Sequence, residues 1–182
     1  YMNAGCHGGD WSEVIQRVTV VDHGGQDRVL SRDEIPFTYR RSGLDGRIVV
    51  EVTVRLRPEE PHRLEESVAE MFEWRQSGTP FNQPCCGSVF KNPAGPSWKR
   101  EQGQRTAGQL IEAAGLKGFS IGGAQISPMH ANYFVNTGGA TAEDVKRLIE
   151  HAQRVVEERF GVRLEPEVKL IGHNGEYLNP ER

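Results

Sequence analysis

Between Thr141 and Gly161 the apolar residues Val145, Leu148, Ile149, Ala152, Val155, Val156 and Phe160 recur at three- and four-residue steps. That spacing gathers them on one face of an α-helix over 142–160. Thr141 is placed to cap it, Asp144 stands at the third helical position as in a capping box, and Gly161 closes it. Such a stripe needs an apolar surface to lie on. Residues 47–57, RIVVEVTVRLR, show the other period. Val50, Val52, Val54 and Leu56 alternate with Glu51, Thr53, Arg55 and Arg57, which predicts a strand with one buried and one wet face. Helix and strand together place the chain in the α+β class.

The remaining elements follow the same signals. Residues 14–22 are rich in β-branched side chains and predict a strand, with a turn at His23-Gly24-Gly25. Pro58 and Pro61 end the second strand and mark a boundary. A helix is expected over about 64–77, where Leu64, Val68, Met71, Phe72 and Arg75 share a face, and a short one over 106–114. Between them, residues 79–105 are rich in Pro, Gly and Asn, and an irregular stretch that long inside a domain points to function. A glycine-punctuated segment and a strand, ANYFVNT, precede the long helix. The tail VRLEPEVKLIG alternates and is expected as an edge or return strand. The predicted organisation is residues 1–57, residues 62–160, and a tail over 161–182.

Composition removes whole classes of function. The 182 residues carry 22 Lys+Arg against 25 Asp+Glu, a formal charge of −3, with no long basic run. A nucleic-acid partner is not expected. No apolar stretch approaches the roughly 18 residues that span a bilayer. Three cysteines, Cys6 and the vicinal Cys85-Cys86, make neither a disulfide framework nor a zinc spacing, so a reducing, cytoplasmic setting is expected and no metal. The chain opens at Tyr1-Met2-Asn3 and reads as though it begins inside an element, as a fragment would.

Four segments could carry chemistry. Asn3-Ala4-Gly5-Cys6-His7-Gly8-Gly9 could bring backbone amides close to an anion, or be a plain turn. Tyr39-Arg40-Arg41-Ser42 offers guanidinium forks, or solvated charge. Gly87-Ser88-Val89-Phe90-Lys91-Asn92-Pro93 sets a serine on a turn; Phe90 stands where a nucleophile elbow needs glycine, which disfavours triad chemistry. Alternation through Leu164-Glu165-Pro166-Glu167-Val168-Lys169 puts two carboxylates and an amine on one face, as a salt bridge or as acid-base groups.

Taken in order, MNAGCHG, FTYRRS, QPCCGSVFKNP, AGQLIEAAGLKGFSIGGAQISPMHANYFVNTGGATAEDV and FGVRLEPEVKLIG resemble the UDP-N-acetylenolpyruvoylglucosamine reductase family from Met2 to about Gly172. The short connection after the second strand is similar to the family's shorter class. The resemblance implies the C-terminal part of an FAD-binding lobe followed by an α+β substrate-binding domain, the family's other FAD loop lying upstream. It implies FAD and NADPH as cofactors and UDP-N-acetylglucosamine enolpyruvate as substrate. A monomer is expected, with neither nucleic acid nor membrane as partner. An alternative is a truncated UDP-sugar-binding domain without redox activity.

Residue by residue, the resemblance makes Ser88 the proton donor and Arg40 the group that polarises the substrate carboxylate. Glu167 becomes the third catalytic residue, with Glu165 as its rival on the same face. Asn3, Gly5 and Gly8 match the flavin loop; Asn92, His130 and Lys169 match the nucleotide-sugar site. Three departures stand out. Lys169 replaces an arginine, keeping the charge and losing the fork. Gln109 occupies a place where lysine is frequent, so a phosphate-facing positive charge is either missing or supplied by Arg105. Cys6-His7 replaces Ala-Tyr.

Overall fold

The computed structural model describes residues 1–96, 99 and 101–175. Ser97, Trp98 and Arg100, which fall in the irregular stretch expected over 79–105, and residues 176–182 of the expected tail lie outside the described residues. The chain forms two compact units, Tyr1–Ala69 and Glu70–Arg182.

The first unit opens with a hairpin of β1 (Gly5–Cys6) and β2 (Gly9–Asp10). His7 and Gly8 between them have φ of 50° and 89°. Two left-handed residues in a row are what a two-residue type I′ hairpin turn requires. β3 (Ile15–Val21), β4 (Asp27–Ser31) and β5 (Ile48–Val54) form an antiparallel sheet in the order β4-β3-β5. Asp22 folds the β3–β4 turn, its Oδ1 accepting from the amides of Gly24 at 2.8 Å and Gln26 at 3.0 Å. Val18, Val20, Leu30, Ile35 and Leu44 are the small core.

The face expected of β5 is corrected here. Val50 is 56% and Leu56 77% exposed. Thr19 pairs with Glu51 but Val20 pairs with Val49, so Val50 is an extra residue. Because side chains alternate, one extra residue inverts the faces on its two sides. Val49 and Val52, three positions apart, therefore stand opposite the core residues Val20 and Val18. β4 was not foreseen: Leu30 is its one buried residue. α1 (Pro61–Gly78) begins on a proline, as helices often do, and none of its residues is buried.

The second unit is a four-stranded antiparallel sheet in the order β6-β9-β8-β7: β6 (Cys85–Ser88), β7 (Ser120–Ile121), β8 (Ala124–Ile126) and β9 (Tyr133–Asn136). α2 (Ala107–Ala113) and α3 (Ala142–Phe160) complete it. Both helices start on capping boxes. In α3, Thr141 Oγ1 accepts from Asp144 N at 3.1 Å and Asp144 Oδ2 from Thr141 N at 2.9 Å. In α2, Thr106 and Gln109 do the same, which gives Gln109 a local task. Leu148, Ile149, Ala152 and Val156 of α3 are buried with Val89, Phe90, Ile111, Ile126, Phe134 and Leu164. Each large side chain so buried contributes about 1.5–3 kcal/mol.

Two expectations change. The stretch 79–105 is not wholly irregular, since β6 lies in it. The tail is not a strand: Phe90 and Pro166 form an isolated bridge, and Gln153 Nε2 donates to Leu164 O at 2.8 Å. Pro166 has no amide to give a ladder, which interrupts the pairing.

Candidate active site

Ser88 ends β6, and its orientation rests on an irregularity. Cys85 pairs with Val135 while Ser88 pairs with Tyr133, so β6 holds one residue more than β9 over the same span. Gly87, at φ 81°, lies in that bulge. In an unbroken ladder Ser88 would stand opposite Asn132; the bulge moves it one place and turns it to the other face.

Just after Ser88 the chain is held from two sides. Val89 N donates to Asn132 O at 2.8 Å. The Asn132 side chain, 4% exposed, accepts from Phe90 N at 2.9 Å and donates to Phe90 O at 2.8 Å. A side-chain amide thus stands in for a rung of a sheet. From the other side Glu167 N donates to Val89 O at 2.7 Å and Lys91 N to Glu165 O at 2.9 Å. Lys91 Nζ lies 2.6 Å from Glu165 Oε1. Glu167 is half-buried beside the strand end that carries Ser88, and its rival Glu165 is ion-paired to Lys91.

The other expected residues of this unit surround the same segment. Asn92 Oδ1 accepts from Ala107 N at 3.1 Å, at the start of α2. His130 Nδ1 accepts from Asn132 N at 3.1 Å, and its ring meets Tyr133 edge-on at 4.8 Å. A Cβ on Gly108 would come within 3.2 Å of His130 Cε1, so the ring lies close against α2. Burial holds His130 below the usual imidazole range, and the charge of Lys117 pushes the same way. Lys169 is exposed. Arg105, expected as a substitute charge, sits over the Phe160 ring at 5.5 Å.

The first unit gathers the rest. Arg40, at φ 56°, donates from Nη2 to Gly5 O at 3.0 Å and lies 5.1 Å from the Tyr39 ring. Asn3 is 2% exposed; its Nδ2 donates to Thr38 O and its Oδ1 accepts from Ser12 N, both at 3.0 Å. Asn3, His7 and Arg40 are the non-glycine residues with positive φ among the described residues. Such backbone costs about 1–3 kcal/mol per residue and concentrates at functional sites. Beside them is a shallow cleft of about 290 Å³ lined by Ala4, Gly5, Cys6, Gly9, Asp10 and Trp11, among others.

Three residues of this arrangement carry no role in the sequence reading. A glycine inside a strand pattern is the usual mark of a bulge, which would have singled out Gly87. Asn132 was visible only as a polar residue at the start of an apolar strand. Nothing local announces that Lys91 meets a carboxylate 74 residues away.

A family model for the C-terminal domain of UDP-N-acetylenolpyruvoylglucosamine reductase matches residues 79–171. The chain belongs to that family. It is 46% identical over 175 residues to UDP-N-acetylenolpyruvoylglucosamine reductase 2 of Symbiobacterium thermophilum, covering 95% of this chain and 54% of the relative. The Lactiplantibacillus plantarum reductase is 42% identical over 176 residues, covering 96% and 55%. The crystal structure of the Thermus caldophilus reductase superposes with a TM-score of 0.75 at 36% identity, covering 91% of this chain and 56% of that one. The chain thus spans about half the length of the reductases it matches.

Proposed function

We propose that this chain provides the substrate-binding domain and part of the FAD-binding lobe of a cytoplasmic, NADPH-dependent flavoenzyme. The enzyme reduces the enolpyruvyl group of UDP-N-acetylglucosamine enolpyruvate to UDP-N-acetylmuramate in peptidoglycan synthesis. The observation that carries this reading is the bond from the Glu167 amide to Val89 O. It joins the two family motifs, GSVFKNP and LEPEV, next to Ser88.

In this reading FAD, when bound, carries hydride from NADPH to the enolpyruvyl double bond. The chain's own groups handle the charge and the proton. Ser88 Oγ gives its proton to the neighbouring carbon; a hydroxyl is a weak acid, so the transfer works only against a strongly basic centre with polar help at hand. Arg40 pairs with the substrate carboxylate into which charge spreads. Glu167, in protonated or hydrogen-bonded form, steadies the same carboxylate. Asn92, His130 and Lys169 line the nucleotide sugar. Neutral His130, with Nδ1 engaged by the Asn132 amide, has Nε2–H to offer as a donor.

The first unit fits part of FAD in kind. The Gly5–Asp10 hairpin, Trp11 and the Arg40 guanidinium supply close backbone, an aromatic surface and a cation. Their cleft is at the low end of the roughly 300–1,000 Å³ of small-molecule sites, enough for one portion of a dinucleotide. The test is the visible spectrum after adding FAD and removing the excess. The reading expects a retained flavin band, bleached by NADPH and restored by the enolpyruvyl sugar. UDP-sugar binding without retained flavin would instead support a sugar-binding domain with no redox activity.

A further inference from the structure

We propose that the Lys91–Glu165 ion pair is a positioning device that fixes Glu167 relative to Ser88. The inference rests on the functional reading above for its chemistry, but its geometry stands apart from it.

The tail carrying Glu167 runs against residues 89–91, just beyond β6. Two backbone bonds, Lys91 N to Glu165 O and Glu167 N to Val89 O, flank the single bridge at Phe90 and Pro166. Val168 N adds a long contact to the same Val89 carbonyl at 3.4 Å. Pro166 has no amide to contribute, and no regular strand continues on either side. The start of the tail is fixed by Leu164, fully buried in the core, and by Gln153, whose Nε2 donates to Leu164 O at 2.8 Å, so what is left to hold is the stretch from Glu165 to Glu167.

Side chains hold that stretch. On one flank Asn132 grips Phe90 at both N and O, which fixes β6 and its extension but not the tail. On the other flank Lys91 Nζ reaches Glu165 Oε1 at 2.6 Å, and the same two residues are also joined through their backbones. Lys91 is only 13% exposed along its side chain, Glu165 46%. A largely covered ammonium strongly prefers a position beside a carboxylate, so it holds Glu165 against the segment that follows β6. Glu167 lies two residues beyond Glu165, and Val89 one residue beyond Ser88, so the pair holds Glu167 beside the strand end that carries the proposed proton donor.

A purely structural salt bridge predicts something different. Leaving a largely covered ammonium without its carboxylate would then lower the unfolding midpoint, with Glu167 protection and turnover of the folded chain unchanged. A displacement of about 1 Å at a reacting centre, by contrast, can cost about a hundredfold in rate.

The test compares Lys91→Met, Glu165→Gln and the exchanged double variant Lys91→Glu with Glu165→Lys, each in the full chain. One readout is NMR hydrogen exchange at the Glu167 amide, which needs neither flavin nor turnover. The second is NADPH consumption driven by the enolpyruvyl sugar, set against bleaching of bound flavin by NADPH alone.

The single variants are expected to lose protection at Glu167 while Tyr133 and the α3 amides keep theirs. Sugar-driven turnover should fall about ten- to a hundredfold, with flavin bleaching unchanged. The exchanged pair should restore both protection and turnover. Unchanged protection at Glu167 in the single variants overturns the proposal whatever the activity. Lost protection with full turnover overturns it too, since the pair would then position nothing that matters. A parent chain that never responds to the sugar counts against the functional reading instead, and the exchange measurement still decides the ion pair.

Discussion

Gly87 has open space where a Cβ would stand, yet its φ is 81°. A side chain there meets no obstacle and costs only backbone conformational energy. Gly87→Ala is expected to destabilise the chain by about 1–2 kcal/mol and to weaken UDP-sugar binding as the bulge resists forming. Gly87→Asn should recover part of both, because asparagine enters the left-handed region more readily. Urea unfolding with calorimetric titration of the sugar would show it, and equal behaviour of the two variants would sink the idea. Ser88→Ala should leave flavin bleaching by NADPH intact and abolish sugar turnover; loss of both would remove Ser88 from the donor role. His130 carries a pH dependence of definite sign. Burial favours its neutral ring in the folded state, so below the unfolded value near 6.5 the unfolded chain binds more protons. Stability is whole above that pH and declines as pH falls toward the lowered folded value, protonation also costing the Nδ1 bond from Asn132. His151 is lowered as well, by burial and Arg154. His130→Gln should therefore flatten part of the loss between pH 7.5 and 5.5, and an unaltered profile would refute its share.

At the scale of elements, α3 behaves as a self-contained unit. Its cap, stripe and closure are all local, and Thr141→Ala should cost about 1 kcal/mol through the lost bond to Asp144 N. A midpoint unchanged in denaturant would mean that packing alone holds the helix start. The same locality explains what could be read from the sequence. Seven apolar residues over five turns leave no alternative to helix, and Thr106 with Gln109 repeats the signal in α2. Strands of two to four residues give no period to count, which is why β6, β7 and β8 were hidden. The faces of β5 were misread because a single extra residue at Val50 has no signature in a segment whose valines alternate with Glu51 and Thr53. The candidate site divided in the same way. Ser88, Asn92, His130 and Glu167 could be named by motif, whereas Asn132 and Lys91 matter through partners far along the chain.

At the scale of the molecule, the named residues fall into two sets. Asn3, Gly5, Gly8 and Arg40 belong to the first unit; Ser88, Asn92, His130, Glu167 and Lys169 belong to the second. Each ligand should then leave its own footprint. UDP-sugar at a hundred times its Kd should stabilise the fold by about 2.7 kcal/mol, with hydrogen-exchange protection rising around Phe90, His130 and Glu167. FAD should protect the Gly5–Asp10 hairpin. Protection by FAD confined to the second unit would contradict the assignment of the flavin loop.

The contact between Lys91 and Glu165 also has a temporal side. Closing a span of 74 residues costs chain entropy before any bond repays it, while caps and hairpins close within a few residues. After dilution from denaturant, the α3 amides should become protected before that of Glu167. A new chain would then spend an interval with α3 formed and Glu167, the carboxylate proposed for catalysis, not yet secured. In the proposed reading, the moment it becomes competent is set by the docking of its tail, a step that waits for a long loop to close.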